Sequence, residues 1–546
     1  MLCSPIMQQP GASHRLEIPA QAVIVSLAAI LLFWGLADKD LWQDEAATAV
    51  LATRMLKFGR PMAYDGVNLI TADMQDHDDD ASLRRRATDP QAAIAYYVAR
   101  GDFKPDTTWK WQPWGLFAIA AVSIEAFGQT TLAARLPFAL AGLATVPLLF
   151  HLVRKQFGSF NMAALAAVLL VGNAYWILHA RQCRYYSVSS LFLVLTLMAY
   201  ARWQWEGRGA AAFIAAAWCW FQVDYGTVMP VLAVLFLEAV LADRRAFRRT
   251  VTTGAILAAT LAPFVFFYDL LHRTSQAEGS WTDRFQQNLF NMNEYVAPAM
   301  LVLAALFLLA TNWKSLAAAE RRLVALGCAI LLALTLWIPT VTVASFLRYA
   351  IIAAPVGALL TAWVVVRVLG RRQWLAWPAA AMLIFTPWLS LPLRAVAPPP
   401  HWWSRKVSYR IELKDLCVQV FGHQADPNRL VIDWLRKNAA PSDEILINYE
   451  DIPLMYYLPN PIRGGIANFR LEDDAKTAPR FVVLRRSMNS IHRRELDREL
   501  RRYIWQPVPL KAPDVRWGNN PDPGANEDPD RAPNLYIGRR LDIGGH

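Results

Sequence analysis

Eleven apolar stretches, each close to the length that crosses a lipid bilayer, recur along this chain and constrain its fold more than any motif does. They fall at roughly 19–37, 135–153, 160–180, 185–201, 209–223, 226–242, 250–271, 296–312, 323–340, 346–366 and 374–393, where about 20 apolar residues make a helical span. Of the 546 residues, 55% are hydrophobic and 18% are charged, more apolar side chain than one soluble core uses. The fold class expected is therefore a polytopic α-helical membrane protein with about eleven transmembrane helices. The first stretch ends in Gly35 and Ala37, which imitate a cleavage site, but its length and the bulky Trp34 predict a retained helix.

With a cytoplasmic N-terminus, alternate connections carry Arg154 and Lys155, Arg202 and Arg208, "DRRAFRR", Lys314 with Arg321 and Arg322, and Arg367 with Arg371 and Arg372. All five then lie on the cytoplasmic side, as the positive-inside rule requires. The net charge of +11 follows from these loops, and nucleic-acid binding is not implied. The same count puts residues 38–134, the loop near 272–295 and everything after about 394 outside. "WQPWGLFAIAAVSIEAFG" is read as an interfacial helix, because a twelfth span would invert every later loop. After the Pro run in "APPPHWW", helix-like and strand-like pieces alternate. They predict a small extracytoplasmic α/β domain at 395–546, behind a membrane domain at 1–394.

Polar residues that break this pattern mark the candidate site. Arg135, Arg181, Arg184 and Arg348 lie at the outer ends of spans, where the positive-inside bias disfavours arginine. Tyr185 follows Arg184 and Tyr349 follows Arg348, so each guanidinium fork, which can grip a phosphate, has a hydroxyl donor beside it. Each arginine alone could equally snorkel to ordinary lipid. "LWQDEAATAV" adds Asp44 and Glu45 on the same side, between Trp42 and a helix-favouring run expected along the membrane surface. Adjacent helical residues point about 100° apart, so one acid can face a cavity while the other holds the helix. A carboxylate there suits a general base, with arginines stabilising a phosphate leaving group. Trp42, Arg135 and Asp224 are further candidates for substrate contact. For Asp224, and for Glu294 with Tyr295, a structural role is favoured. "DMQDHDDD" lacks the glycine-punctuated spacing of a calcium loop. The five cysteines show no metal spacing, so no metal or other cofactor is expected.

Several stretches together resemble the GT-C membrane glycosyltransferases, in the group of protein O-mannosyltransferases and lipid A aminoarabinose transferases. They are "LWQDEAATAV", the run from "WKWQPWGLF" to "HLVRKQFG", "ILHARQCRYYSVSSLF" and "FLRYAIIAAPVGAL", spread over roughly residues 20–370. The resemblance implies a GT-C-like fold and an inverting transfer of sugar from a polyprenyl-phosphate donor to a glycan, lipid or protein acceptor on the outer face. For a bacterium this is the periplasmic side of the inner membrane. It matches Asp44 and Glu45 to the family's acidic pair, the first as the usual base, and Arg184 and Arg348 to its donor-phosphate contacts. The chain departs from the family at "WQPWG", where relatives often carry His-Pro-Pro-Leu, and in a long polar insert at 62–108.

A rival class is a multi-span transporter or flippase for a lipid-linked or polar solute. It expects ionisable residues near the bilayer midplane and paired broken helices. Here the notable charges sit at one surface, which favours transfer.

Overall fold

The computed structural model of the chain describes residues 10–70, 90–100, 103–242, 247–271, 280–342, 345–396, 412–422, 425–465, 475–485, 498–514 and 534–541. The acid run at 73–80, Arg84 to Arg86, "APPPHWW" and most of the Pro, Asp and Asn-rich tail lie outside them. In hydrocarbon every backbone amide must bond within the chain, which is why the apolar stretches fold as helices. Five of these are long and apolar enough to cross a membrane alone: Thr131–Phe157, Tyr225–Ala242, Phe247–Phe267, Ala318–Val341 and Leu347–Leu369. Two more candidates are bent pairs, Phe160–Val171 with Ala174–Ala180 at 67° and Trp281–Val296 with Ala299–Thr311 at 80°. The other expected spans form the 20-residue Tyr186–Trp205 helix and the shorter Glu17–Phe33, Ala210–Phe221 and Gln373–Phe385 helices. A 12-residue helix such as Ala210–Phe221 rises only about 18 Å, so apolarity in the sequence overstates its reach.

Both breaks have local causes, and they meet. Asn173 follows Gly172 and caps the next segment by accepting from the Trp176 amide at 3.0 Å, while its Nδ2 donates to the Tyr295 carbonyl at 2.7 Å. On the facing strand of chain a π-helical turn, Met292–Val296, gives way to extended Ala297 and then Pro298, which has no N–H to continue a helix. The paired broken helices expected of a transporter are thus present. Gly357 packs against the same turn, and a Cβ there would stand 2.2 Å from the Val296 carbonyl oxygen.

The two ends of the helical body differ. At one end Arg154 pairs with Glu17, Lys155 with Glu206, Arg322 with Glu238, and Arg367 with Glu320. At the other end sits a second core, in which the Gln43–Phe58 helix packs on the Trp114–Phe127 helix and on Asp451–Tyr457. Ala46, Ala49, Val50, Leu51 and Ala52 are all buried. The Gln43–Phe58 helix is therefore enclosed by protein rather than laid along a surface, since its small side chains admit close neighbours on several sides. Trp114–Phe127 has 14 residues, about 21 Å, which is short of the roughly 30 Å of a bilayer core.

Near the C-terminus five strands form one sheet in the order β2-β1-β3-β5-β4: β1 Ile445–Ile447, β2 Ile462–Gly464, β3 Phe481–Val483, β4 Ile504–Pro513 and β5 Asn534–Leu541. β1 pairs parallel to β2 and β3, and β5 runs antiparallel to β3 and β4. Val431, Ile432 and Leu435 of the Pro427–Asn438 helix cover one face. The preceding Glu412–Phe421 helix instead buries Leu416 and Val420 in the core of the helical body.

Replacing Gly357 by Ala should force the two broken elements apart at a typical overpacking cost of about 1–3 kcal/mol. Thermal unfolding in detergent checks this against Gly538→Ala, whose added Cβ meets nothing nearer than 3.5 Å. Equal midpoints for the two variants would remove the close approach as a constraint.

Candidate active site

Glu45 organises this end of the molecule, and its side chain is fully buried. Its two oxygens accept from Arg135 Nε at 2.8 Å and Nη2 at 2.6 Å, a bidentate fork. Oε1 also accepts from the Cys183 amide at 2.7 Å, and Oε2 from the Trp42 amide at 3.4 Å, across the start of the helix. Arg135 spends its remaining donors on the carbonyls of Leu36, Lys39 and Asp40. Arg181 donates to the carbonyls of Leu31 and Trp34, the open end of the first helix. The side chains of Glu45, Arg135 and Arg181 are thus bonded to the chain itself.

Asp224 is likewise engaged. One oxygen accepts from the amides of Gly226 and Thr227 at 3.1 and 3.3 Å, and the other accepts from the hydroxyls of Ser189 and Thr227. It caps the Tyr225–Ala242 helix.

Asp44, one residue before Glu45, points away from that clamp. Its Oδ2 lies 3.2 Å from Arg348 Nη1 yet completes no hydrogen bond, so the contact is an ion pair without alignment. Arg184 Nη1 donates to the Asp44 carbonyl and to Thr48 Oγ1, each at 3.2 Å. The Arg348 guanidinium also lies 4.2 Å from the Phe346 ring and 5.6 Å from Tyr349, and that of Arg184 lies 5.6 Å from Tyr185. Both arginines are buried. Among the described residues, Asp44 is the carboxylate that acts on both of them. Two cations therefore share one acid in a water-poor place, and such an imbalance calls for a further anion. Arg184 Nε and Tyr186 Oη are buried there without a hydrogen-bond partner. His179 Nε2 is in the same condition, and its ring stands edge-on to Tyr186 at 5.1 Å.

Sequence reasoning named Asp44, Arg184, Arg348, Tyr185 and Tyr349, and the fold brings them together. It passed over His179, Tyr186 and Thr48. The first two stand seven residues apart in "HARQCRYY", a spacing that offered a signal.

A cavity of about 440 Å³ lies on the Glu45 side of the helix, lined by Trp42, Lys39, Arg135, Arg181, Arg429 and Asp426 among others. A smaller one, of about 120 Å³, lies beside Glu294 and Tyr295 at the broken helices. Neither is lined by Asp44, Arg184 or Arg348. In the larger, Arg429 is tied to Asp40 and Arg135 to Glu45. Burial pushes the Lys39 ammonium down to about 8, with Arg135 and Arg181 acting in the same sense against Asp426. Burial also pushes the Asp426 carboxyl up. Its charges are thus largely matched or weakened, unlike those around Asp44.

The helical body, the buried Gln43–Phe58 helix and the small C-terminal sheet against it form a fold shared with solved structures. The structure of ArnT from Cupriavidus metallidurans bound to undecaprenyl phosphate matches with a TM-score of 0.57 and 12% identity, over 98% of this chain and 100% of that one. The same protein in the apo state gives 0.56 and 13%, over 97% and 98%. The Archaeoglobus fulgidus oligosaccharyltransferase in the apo form gives 0.51 and 12%, over 87% and 70%. No family model and no curated protein matches the sequence. The likeness establishes the fold, and with the apolar helices it makes the chain an integral membrane protein.

Arg135→Met should lower stability by about 3–5 kcal/mol, because it strands the buried Glu45 carboxylate without its counter-charge. Asp44→Asn should cost less than Arg135→Met, because Asp44 accepts no aligned hydrogen bond and is partly exposed, although it too removes a counter-charge, the one that Arg184 and Arg348 share. Unfolding midpoints in detergent decide the matter, and equal losses would remove the distinction drawn between the two acids.

Proposed function

We propose that the protein is an inverting glycosyltransferase that moves a sugar from a polyprenyl-phosphate donor to an acceptor hydroxyl. The observation that carries this reading is the single carboxylate, Asp44, set between two buried guanidiniums with Tyr185 and Tyr349 beside them. ArnT, which shares the fold, is described bound to undecaprenyl phosphate, and that supports a lipid phosphate of this class as donor. The matched charges at the opposite end of the helical body support a cytoplasmic placement there, with the site and the C-terminal sheet outside, on the periplasmic face of a bacterial inner membrane.

In the reaction the acceptor oxygen attacks the anomeric carbon on the face opposite the phosphate. The C–O bond to phosphate breaks, polyprenyl phosphate departs with the bonding pair, and Asp44 takes the acceptor proton. Arg184 and Arg348 stabilise the charge that builds on the leaving phosphate. The donor phosphate also competes with Asp44 for Arg348, so its arrival turns the guanidinium from the carboxylate to the phosphate and leaves the base free. Glu45 and Arg135 act as positioning residues, because they hold the first turn of the helix and hence the aim of Asp44.

A second reading, transport of a lipid-linked or polar solute, is favoured by the two broken helices joined through Asn173 and by Glu294 in the cavity beside them. It needs no base at Asp44.

Asp44→Asn should reduce transfer by about 10²-fold or more while donor binding persists, assayed in proteoliposomes with defined undecaprenyl-phosphate sugars. Full activity would remove Asp44 as base, and unimpaired solute flux through a protein that transfers no sugar would select the second reading. Arg348→Ala should raise the Michaelis constant for donor at least tenfold, in line with the roughly 1.5–3 kcal/mol of a hydrogen bond to a charged group, with the constant for acceptor little altered. An unchanged donor constant and turnover would take Arg348 out of the site.

A further inference from the structure

The geometry points to His179 as a specificity-determining residue that accepts a hydrogen bond from a hydroxyl of the transferred sugar, an inference that rests on the glycosyl-transfer reading above. His179 is 1% exposed, and its Nδ1 lies 2.7 Å from the Tyr175 carbonyl oxygen. A carbonyl only accepts, so the ring proton sits on Nδ1. A second ring N–H would find no acceptor and would add a cation to a buried place that already holds Arg184 and Arg348, so the neutral ring is the favoured form. Its Nε2 is then a lone pair, buried and without a partner.

The groups around it are of the opposite kind. Arg184 Nε–H and the Tyr186 hydroxyl are buried and also lack partners, and Arg348 has donors only. A phosphate satisfies those donors with its oxygens, but it brings no proton and leaves Nε2 unsatisfied. The donor molecule must therefore present to His179 a hydrogen-bond donor of its own, attached close to the phosphate. In a polyprenyl-phosphate sugar the lipid chain offers none, and the sugar's hydroxyls, the nearest on the carbon beside the anomeric one, are the donors that stand close to the phosphate ester. An ammonium at that spot would be repelled by the two guanidiniums, which selects a neutral hydroxyl over a charged amine. Arg184 and Arg348 accordingly hold the phosphate common to all such donors, while His179 reads the sugar.

The test uses the full-length protein in lipid nanodiscs with three kinds of probe: undecaprenyl phosphate, the same lipid phosphate carrying a neutral hexose, and the set of single-deoxy forms of that hexose. The wild-type protein should bind the hexosyl lipid about tenfold more tightly than the bare lipid phosphate. His179→Phe, which keeps the ring and removes the acceptor, should abolish that gain and leave bare-lipid affinity unchanged. His179→Gln, whose amide oxygen can accept, should restore part of it. One deoxy position should cost the wild type as much as His179→Phe does, and cost that variant nothing further. The inference is overturned if His179→Phe weakens both lipids alike, if the gain survives in that variant, if the wild type gains nothing from the sugar, or if every deoxy position costs the same in both proteins. Binding of neither lipid by the wild type would sink the glycosyl-transfer reading itself, an outcome distinct from a sugar gain that ignores His179.

Discussion

The buried pair between Glu45 and Arg135 is the contact on which the rest of this end of the molecule depends. An ion pair out of water is costly to form and far more costly to half-break, so it tolerates little variation in its surroundings. The five donors of Arg135 bind the turn at Leu36 to Asp40 to the start of the next helix. Glu45 binds that helix start to the Cys183 turn. The same short segment meets the C-terminal unit, where the Asp40 amide donates to Asp426, Leu41 to Tyr457 Oη, and Gln43 Nε2 to Asp451. Three stretches distant in sequence thus converge on one helix N-terminus, and Asp44 inherits its direction from them.

This arrangement explains a division of labour that neither acid shows by itself. Consecutive residues on a helix diverge by about 100°, so a carboxylate locked into a structural clamp places its neighbour against whatever lies a quarter-turn away. Here that is Arg348, at 3.2 Å. The far end of the body uses its charges differently, since Glu17, Glu206, Glu238 and Glu320 each meet a Lys or Arg. Those partly exposed pairs contribute little stability individually and leave no cation in excess among the residues they join. Around Asp44, by contrast, two buried guanidiniums share one carboxylate.

Much of this was legible in the chain. Apolar stretches marked the helices of the membrane body, the adjacent acids and the two Arg-Tyr turns marked residues that the fold brings together, and the switch to short alternating runs marked the C-terminal sheet. What could not be read had a physical reason in each case. Gly172 with Asn173, and Pro298, break their helices locally, but the bond that joins the two breaks runs from Asn173 to Tyr295, a partner 122 residues away, and no local pattern encodes such a contact. Arg135 and Arg348 look alike as lone arginines at helix ends, yet one has every donor spent on the chain and the other faces a carboxylate it does not fully engage. Enclosure of the Gln43–Phe58 helix was hidden because alanines suit an exposed surface helix as well as a close-packed one. His179 passed as an ordinary member of an apolar run, since tautomer and isolation are properties of the fold.

Buried polar atoms without partners occur elsewhere in the molecule, at the indole nitrogens of Trp203 and Trp220 and at Asn288 Oδ1. Each of these belongs to a side chain whose apolar body, or whose other hydrogen bonds, already justify its position: Asn288, for example, donates to the Leu334 and Thr335 carbonyls. Around Asp44 the situation is different in kind. A carboxylate oxygen, a guanidinium N–H, a phenol and an imidazole nitrogen are all buried and unsatisfied within one neighbourhood, on four residues drawn from two turns of chain. Each such atom costs on the order of 1–3 kcal/mol when left alone, and a stable protein does not concentrate that cost without return. The carboxylate, in an unaligned ion pair with Arg348, and the imidazole nitrogen accept, the guanidinium donates and the phenol does either, so neither a bare anion nor an apolar group can satisfy the set. A ligand that does so carries both negative oxygens and hydroxyl protons within a few ångströms of each other, as the sugar phosphate proposed above would.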